Sequence, residues 1–74
     1  MQVEMTTASI NKALRECGGV KRYITATPYT IYRVTRVRGG WAWWIRFPDS
    51  ERKIVHSDAA TLTLYTEAVA QCNT

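Results

Sequence analysis

Gly39-Gly40 lies between two stretches rich in aromatic, β-branched and basic residues, and this pair constrains the chain more than any other feature. Two-residue β-hairpin loops require positive φ, which glycine adopts without steric penalty. The pair therefore reads as a hairpin loop, with strands over residues 29–38 and 41–47. A loop of this length fixes register, because side chains alternate between the two faces of a sheet. Counting outward opposes Arg38 to Trp41, Arg36 to Trp43, Val34 to Ile45 and Tyr32 to Phe47 on one face. On the other it opposes Val37 to Ala42, Thr35 to Trp44 and Arg33 to Arg46. The first face, with Trp41, Trp43, Ile45 and Phe47, is the expected core.

The flanking segments complete an α+β reading. Ile10, Ala13, Leu14 and Cys17 recur at i, i+3, i+4 and i+7, one apolar stripe of a helix capped by Thr6 or Thr7 and ended by Gly18-Gly19. Residues 1–5 are expected to be a frayed lead-in. Residues 20–27 read as a first strand closed by Pro28, with either Val20, Ile24 and Ala26 or Tyr23 and Thr25 facing inward. Residues 48–51 read as a turn and 52–56 as a short fourth strand.

Ser57 or Asp58 can cap a second helix reaching Cys72, with Leu62, Tyr65, Val69 and Cys72 at helical spacing and Leu64 and Ala68 beside them. The run Thr61-Leu62-Thr63-Leu64-Tyr65 also alternates as a strand would; the length of the segment and its continuation favour helix. The expected architecture is a three- to four-stranded antiparallel meander with an N-terminal and a C-terminal helix packed on one face. Residues 1–74 are expected to form a single small domain, whose thin core large aromatics reinforce.

Charge is unevenly placed. The net charge is +4, yet no acid occurs between Glu16 and Asp49, a span holding Lys21, Arg22, Arg33, Arg36, Arg38 and Arg46. A basic centre points to an anionic partner, either an acidic protein surface or nucleic acid. A turn over 48–51 would oppose Arg46 to Lys53 and Trp44 to Val55 on the outer face. Arg33, Arg46 and Lys53 then form a row of like charges beside Thr35 and Trp44, an arrangement that an anionic partner would relieve. Arg36 and Arg38 reach solvent past the indoles at the loop end. These seven residues are the candidate partner-binding set.

Catalytic chemistry finds little to work with. There is one histidine, His56, no clustered carboxylates in the cationic middle and no phosphate-cradling loop, so an enzyme is not expected, nor a cofactor or metal. Two cysteines are too few for a disulfide scaffold; Cys17 and Cys72 read as reduced, small apolar groups, with a single bridge between the helix ends as the alternative. No apolar run suggests a membrane segment or a leader, and a cytoplasmic location is expected.

In size and in its lack of catalytic motifs the chain resembles small phage inhibitors such as the anti-CRISPR proteins. That resemblance implies a compact, non-catalytic antagonist of a nucleic-acid-handling protein. The order helix, antiparallel strands, helix is similar to the double-stranded-RNA-binding domain over most of the chain, which implies direct nucleic-acid binding. The lysine cluster that family carries at the start of its second helix is replaced here by Ser57-Asp58-Ala59-Ala60-Thr61, an acid where phosphate would sit. A third possibility, self-association through the Trp44 face, would bring like charges together.

Overall fold

A computed structural model describes residues 5–72; the lead-in expected over residues 1–5 lies, except for Met5, outside the described residues. The element order is α1 (Thr7–Cys17), β1 (Val20–Ile24), β2 (Thr27–Val37), β3 (Gly40–Arg46), β4 (Glu51–His56) and α2 (Asp58–Cys72). The four strands form one antiparallel sheet in sequential order. This is the expected α+β meander between two helices.

Helix α1 starts at a reciprocal cap: Thr6 Oγ1 accepts from the Ser9 N–H, and Ser9 Oγ accepts from the Thr6 N–H. It ends where the Gly18 and Gly19 N–H groups donate to the Arg15 and Leu14 carbonyls. Its stripe buries Ile10, Ala13 and Leu14. Helix α2 is capped by Ser57, whose Oγ accepts from the Ala60 N–H. Its buried face is Thr61, Leu64 and Ala68, whereas Leu62 and Val69 are exposed. The expected stripe through Leu62, Tyr65, Val69 and Cys72 is thus rotated. The cause is Thr61: its hydroxyl accepts the indole N–H of buried Trp43 at 2.9 Å, which turns this polar position inward.

The first hairpin turns at Thr25-Ala26, since Ile24 opposes Thr27, and not at Pro28 as expected. Thr25 takes φ 57°, an uncommon conformation for a β-branched residue. Pro28 lies inside β2, opposite Tyr23. A proline is tolerated there because β3 has already ended at Arg46 and asks no ladder bond of it. With this turn Val20, Arg22 and Ile24 share the inner face.

The second hairpin also turns one residue earlier than expected. Val37 opposes Gly40, so the loop is Arg38-Gly39, with only Gly39 at positive φ (84°). Gly40 belongs to the strand for a different reason: a Cβ there would collide with the carbonyl oxygen of His56 on β4. Shifting the loop moves each pairing by two residues and leaves the faces unchanged. Arg36 opposes Trp41, Val34 opposes Trp43, Thr35 opposes Ala42 and Arg33 opposes Trp44.

Beyond Arg33 a bulge inserts Tyr32, after which Ile31 opposes Ile45 and Thr30 opposes Arg46. Ile31, and not Tyr32, therefore enters the core. The side chain of Asn11 secures the bulged segment from α1. Its Nδ2 donates to the Val34 carbonyl at 2.9 Å, and its Oδ1 accepts the Val34 N–H at 2.8 Å. Beta1 pairs only as far as Ile31, so Asn11 satisfies the backbone where a neighbouring strand would have.

Both helices cover the inner face. The core joins Ile10, Leu14, Val20, Ile31, Val34, Trp41, Trp43, Ile45, Leu64 and Ala68. Cys17 and Cys72 form a disulfide between the C-terminal ends of the helices, their Cα atoms 5.1 Å apart. The expectation of two reduced cysteines is corrected by this: the two helices lie on the same face of the sheet with their C-terminal ends side by side. The molecule measures 18 Å along its shortest axis, two layers deep, so no helix covers the outer face of the sheet.

Candidate docking face

The outer face carries cross-strand rows. In the central row Trp44 of β3 stands between Arg33 of β2 and Lys53 of β4. The Arg33 guanidinium carbon lies 5.4 Å and the Lys53 Nζ 5.2 Å from the indole centroid. Each such contact is worth about 0.5–1 kcal/mol at an exposed site. The half-buried indole also points its N–H at Thr35 Oγ1, 3.4 Å away, towards the row of Thr35, Ala42 and Val55. Ala42 is only 1% exposed although no helix covers it, while Val55 is 60% exposed. Trp44 is thus a fixed support holding two cations apart on a flat surface.

Arg46 does not stand in line with Arg33 and Lys53. The loop shift and the bulge place it opposite Thr30, and the third turn, over 47–50 and not 48–51 as expected, starts β4 at Glu51 and places that acid opposite Arg46. Its Nε donates to Glu51 Oε1 at 2.9 Å and its guanidinium carbon lies 4.4 Å from the Tyr32 ring centroid. The hydrogen bond from Arg46 to Glu51 raises the Arg46 pKa further above its ordinary value. The expected opposition of like charges is therefore absent; an aromatic ring separates Arg33 from Lys53, and an acid meets Arg46.

Arg36 lies on the other face. It forms an ion pair with Asp58 at the start of α2, and its guanidinium carbon sits 4.9 Å over the Trp41 ring. Trp41 Nε1 donates to the same carboxylate at 2.8 Å. The Arg36 hydrogen bond first, and that of Trp41 second, hold the Asp58 pKa below the ordinary carboxylate value. Arg38 occupies the exposed hairpin loop, at the end of the sheet beyond the Thr35 row. The structure thus brings Arg33, Thr35, Trp44 and Lys53 together, leaves Arg46 at their margin, and separates Arg36.

Among the described residues Lys12, Arg22, Arg36 and Arg46 pair with Glu16, Glu67, Asp58 and Glu51. Arg33 and Lys53 are two of six cations, with Arg15, Lys21, Arg38 and Arg52, that have no ion-pair partner among the described residues. Lys21 and Tyr23 extend the outer face on β1, beside Thr30 and Pro28. Sequence reading left them unassigned because Thr25-Ala26 carries no glycine or asparagine to mark a turn.

On the covered face, His56 stacks on Trp43 with centroids 3.7 Å apart, and Arg22 lies over the same indole at 5.5 Å. Burial, and then the charge of Arg22, lowers the His56 pKa from its ordinary value. No group of three or more metal-ligating side chains occurs among the described residues, and no helix there is long and apolar enough to cross a membrane.

The fold and site define a small two-layer α+β domain with a bare, cation-bearing sheet face. No protein-family model, no curated protein and no solved structure matches the chain.

Proposed function

We propose that this chain is a non-catalytic binding module that docks an acidic protein surface on the uncovered face of its sheet. The observation that carries this reading is the row of Arg33, Trp44 and Lys53: two cations without a described acid partner, held against one indole on a rigid sheet. Rigid aromatic anchors flanked by charge are the usual basis of a tight patch, and complementary charge sets both encounter rate and orientation. An inhibitor role and a nucleic-acid-handling partner rest on the likeness in size and character to small phage antagonists.

Direct nucleic-acid binding is the competing reading, and the same residues would carry it. A base-stacking platform requires bare aromatic faces. Here Trp44 is flanked by Arg33 and Lys53 and Tyr32 by Arg46, which favours a protein partner.

Binding of labelled oligoglutamate and of a DNA duplex, each across a salt series, tests the two readings with wild type and the double variant R33E/K53E. Oligoglutamate is expected to bind at low salt and to be lost with the double variant. A duplex that binds more tightly than oligoglutamate, with a steep salt dependence reduced in the variant, would replace this reading by the nucleic-acid one. Absence of both at low salt would overturn the docking face itself.

A further inference from the structure

At one end of the outer face the strands do not finish together. Beta2 pairs with β1 over Thr27–Ile31 but meets β3 only from Thr30, and β3 stops at Arg46. A recess of about 460 Å³ opens beside the unaccompanied end of β2. Its walls include Tyr23, Pro28 and Pro48, and its basic residues are Lys21 and Arg46 on either side of Thr30. Tyr23 is 67% exposed, so a large aromatic stands in water at the rim. Lys21 has no ion-pair partner among the described residues. Apolar walls beside cations suit an apolar side chain carried next to carboxylates. The other two aromatics of the recess, Tyr29 and Phe47, are half-buried and pack on one another at 5.5 Å, which leaves Tyr23 as its exposed ring.

We propose that this recess is the anchor point of the docking face. It takes a large apolar side chain from an acidic segment of the partner protein, with Lys21 and Arg46 meeting the flanking carboxylates. This rests on the reading of the outer face as a protein-docking surface and adds the place and chemistry of its tightest contact. Arg46 can exchange its exposed partner Glu51 for a carboxylate of the segment, since exposed ion pairs contribute little.

Selection of random displayed peptides against the folded protein tests it, followed by calorimetry of the enriched peptides. Enriched sequences are expected to place Asp or Glu beside Leu, Phe or Trp. Tyr23→Ala and Lys21→Glu are each expected to weaken them by about tenfold or more. Both side chains are at the surface, and circular dichroism of each variant verifies the fold. Enriched peptides that lose affinity in R33E/K53E yet ignore Tyr23→Ala and Lys21→Glu would overturn the anchor while leaving the docking face standing. Peptides indifferent to all of these variants, or a selection that enriches no acidic sequence, would overturn both. If oligodeoxythymidylate displaces the peptides and its own binding depends on Tyr23, the occupant is a nucleic acid and the proposal falls.

Discussion

Thr61 shows how much one hydroxyl can decide. It is fully buried, and it accepts the N–H of Trp43, itself 2% exposed. Thr61→Val keeps the shape and removes the acceptor, leaving an indole N–H unpaired in the core. The expected cost is about 1–3 kcal/mol in urea unfolding, with the same m-value. A second residue-scale prediction concerns His56, whose folded pKa lies below its unfolded value of about 6.5. The unfolded chain then binds more protons between the two values. The contribution of His56 is fully present above about 6.5 and is lost as pH falls through its lower folded value. Unfolding measured across this window should show a decline in stability on acidification that His56→Gln removes; an unchanged decline in the variant would assign it to other groups.

At the scale of elements, the sheet depends on a clamp from outside it. Asn11 supplies both hydrogen bonds that Val34 lacks on the side where β1 has ended. Asn11→Ala leaves a backbone N–H and a carbonyl unpaired beside the bulge, and should cost about 1–3 kcal/mol. Faster amide exchange is expected at Val34 before any change in β4. Periodicity and cap residues made the element types legible: the α1 stripe, the alternation of 41–47 and the glycines after Cys17 each have one physical reading. Faces were legible too on β3 and on β2 as far as Arg33, because a two-residue error in register preserves alternation; past the bulge Ile31 takes the inward place expected of Tyr32. Register itself was not. Gly40 looked like a loop residue, and its actual reason, the close approach of the His56 carbonyl, is a long-range fact. The bulge at Tyr32 lies beside the Asn11 contact with Val34, which joins residues 23 apart in sequence and leaves no local pattern. Thus Trp44 was readable as outward-facing, whereas its place between Arg33 and Lys53 was not.

At the scale of the whole molecule, the two helices are tied at one end by the bridge between Cys17 and Cys72, a sequence separation of 55. Nearby, Gln71 Nε2 donates to the Gly19 carbonyl at 3.0 Å, fastening the end of α2 to the start of β1. A bridge of this kind persists in oxidising compartments and is rare in a reducing cytosol. Closing a loop of this size removes chain entropy from the unfolded state worth about 4 kcal/mol. Chains of this length have total stabilities of roughly 4–11 kcal/mol, so the bridge is a large share. Reduction, or the double variant Cys17→Ser/Cys72→Ser, should therefore lower the melting temperature by roughly 15–30 °C. A melt unchanged by reductant would mean that the bridge adds nothing to folding. The outer face lies on the opposite side of the sheet from the bridge, and no helix contributes to it. Well below the reduced melting point, oxidised and reduced protein should consequently bind oligoglutamate equally. A loss of binding that precedes unfolding would show instead that the helix ends shape the face behind them.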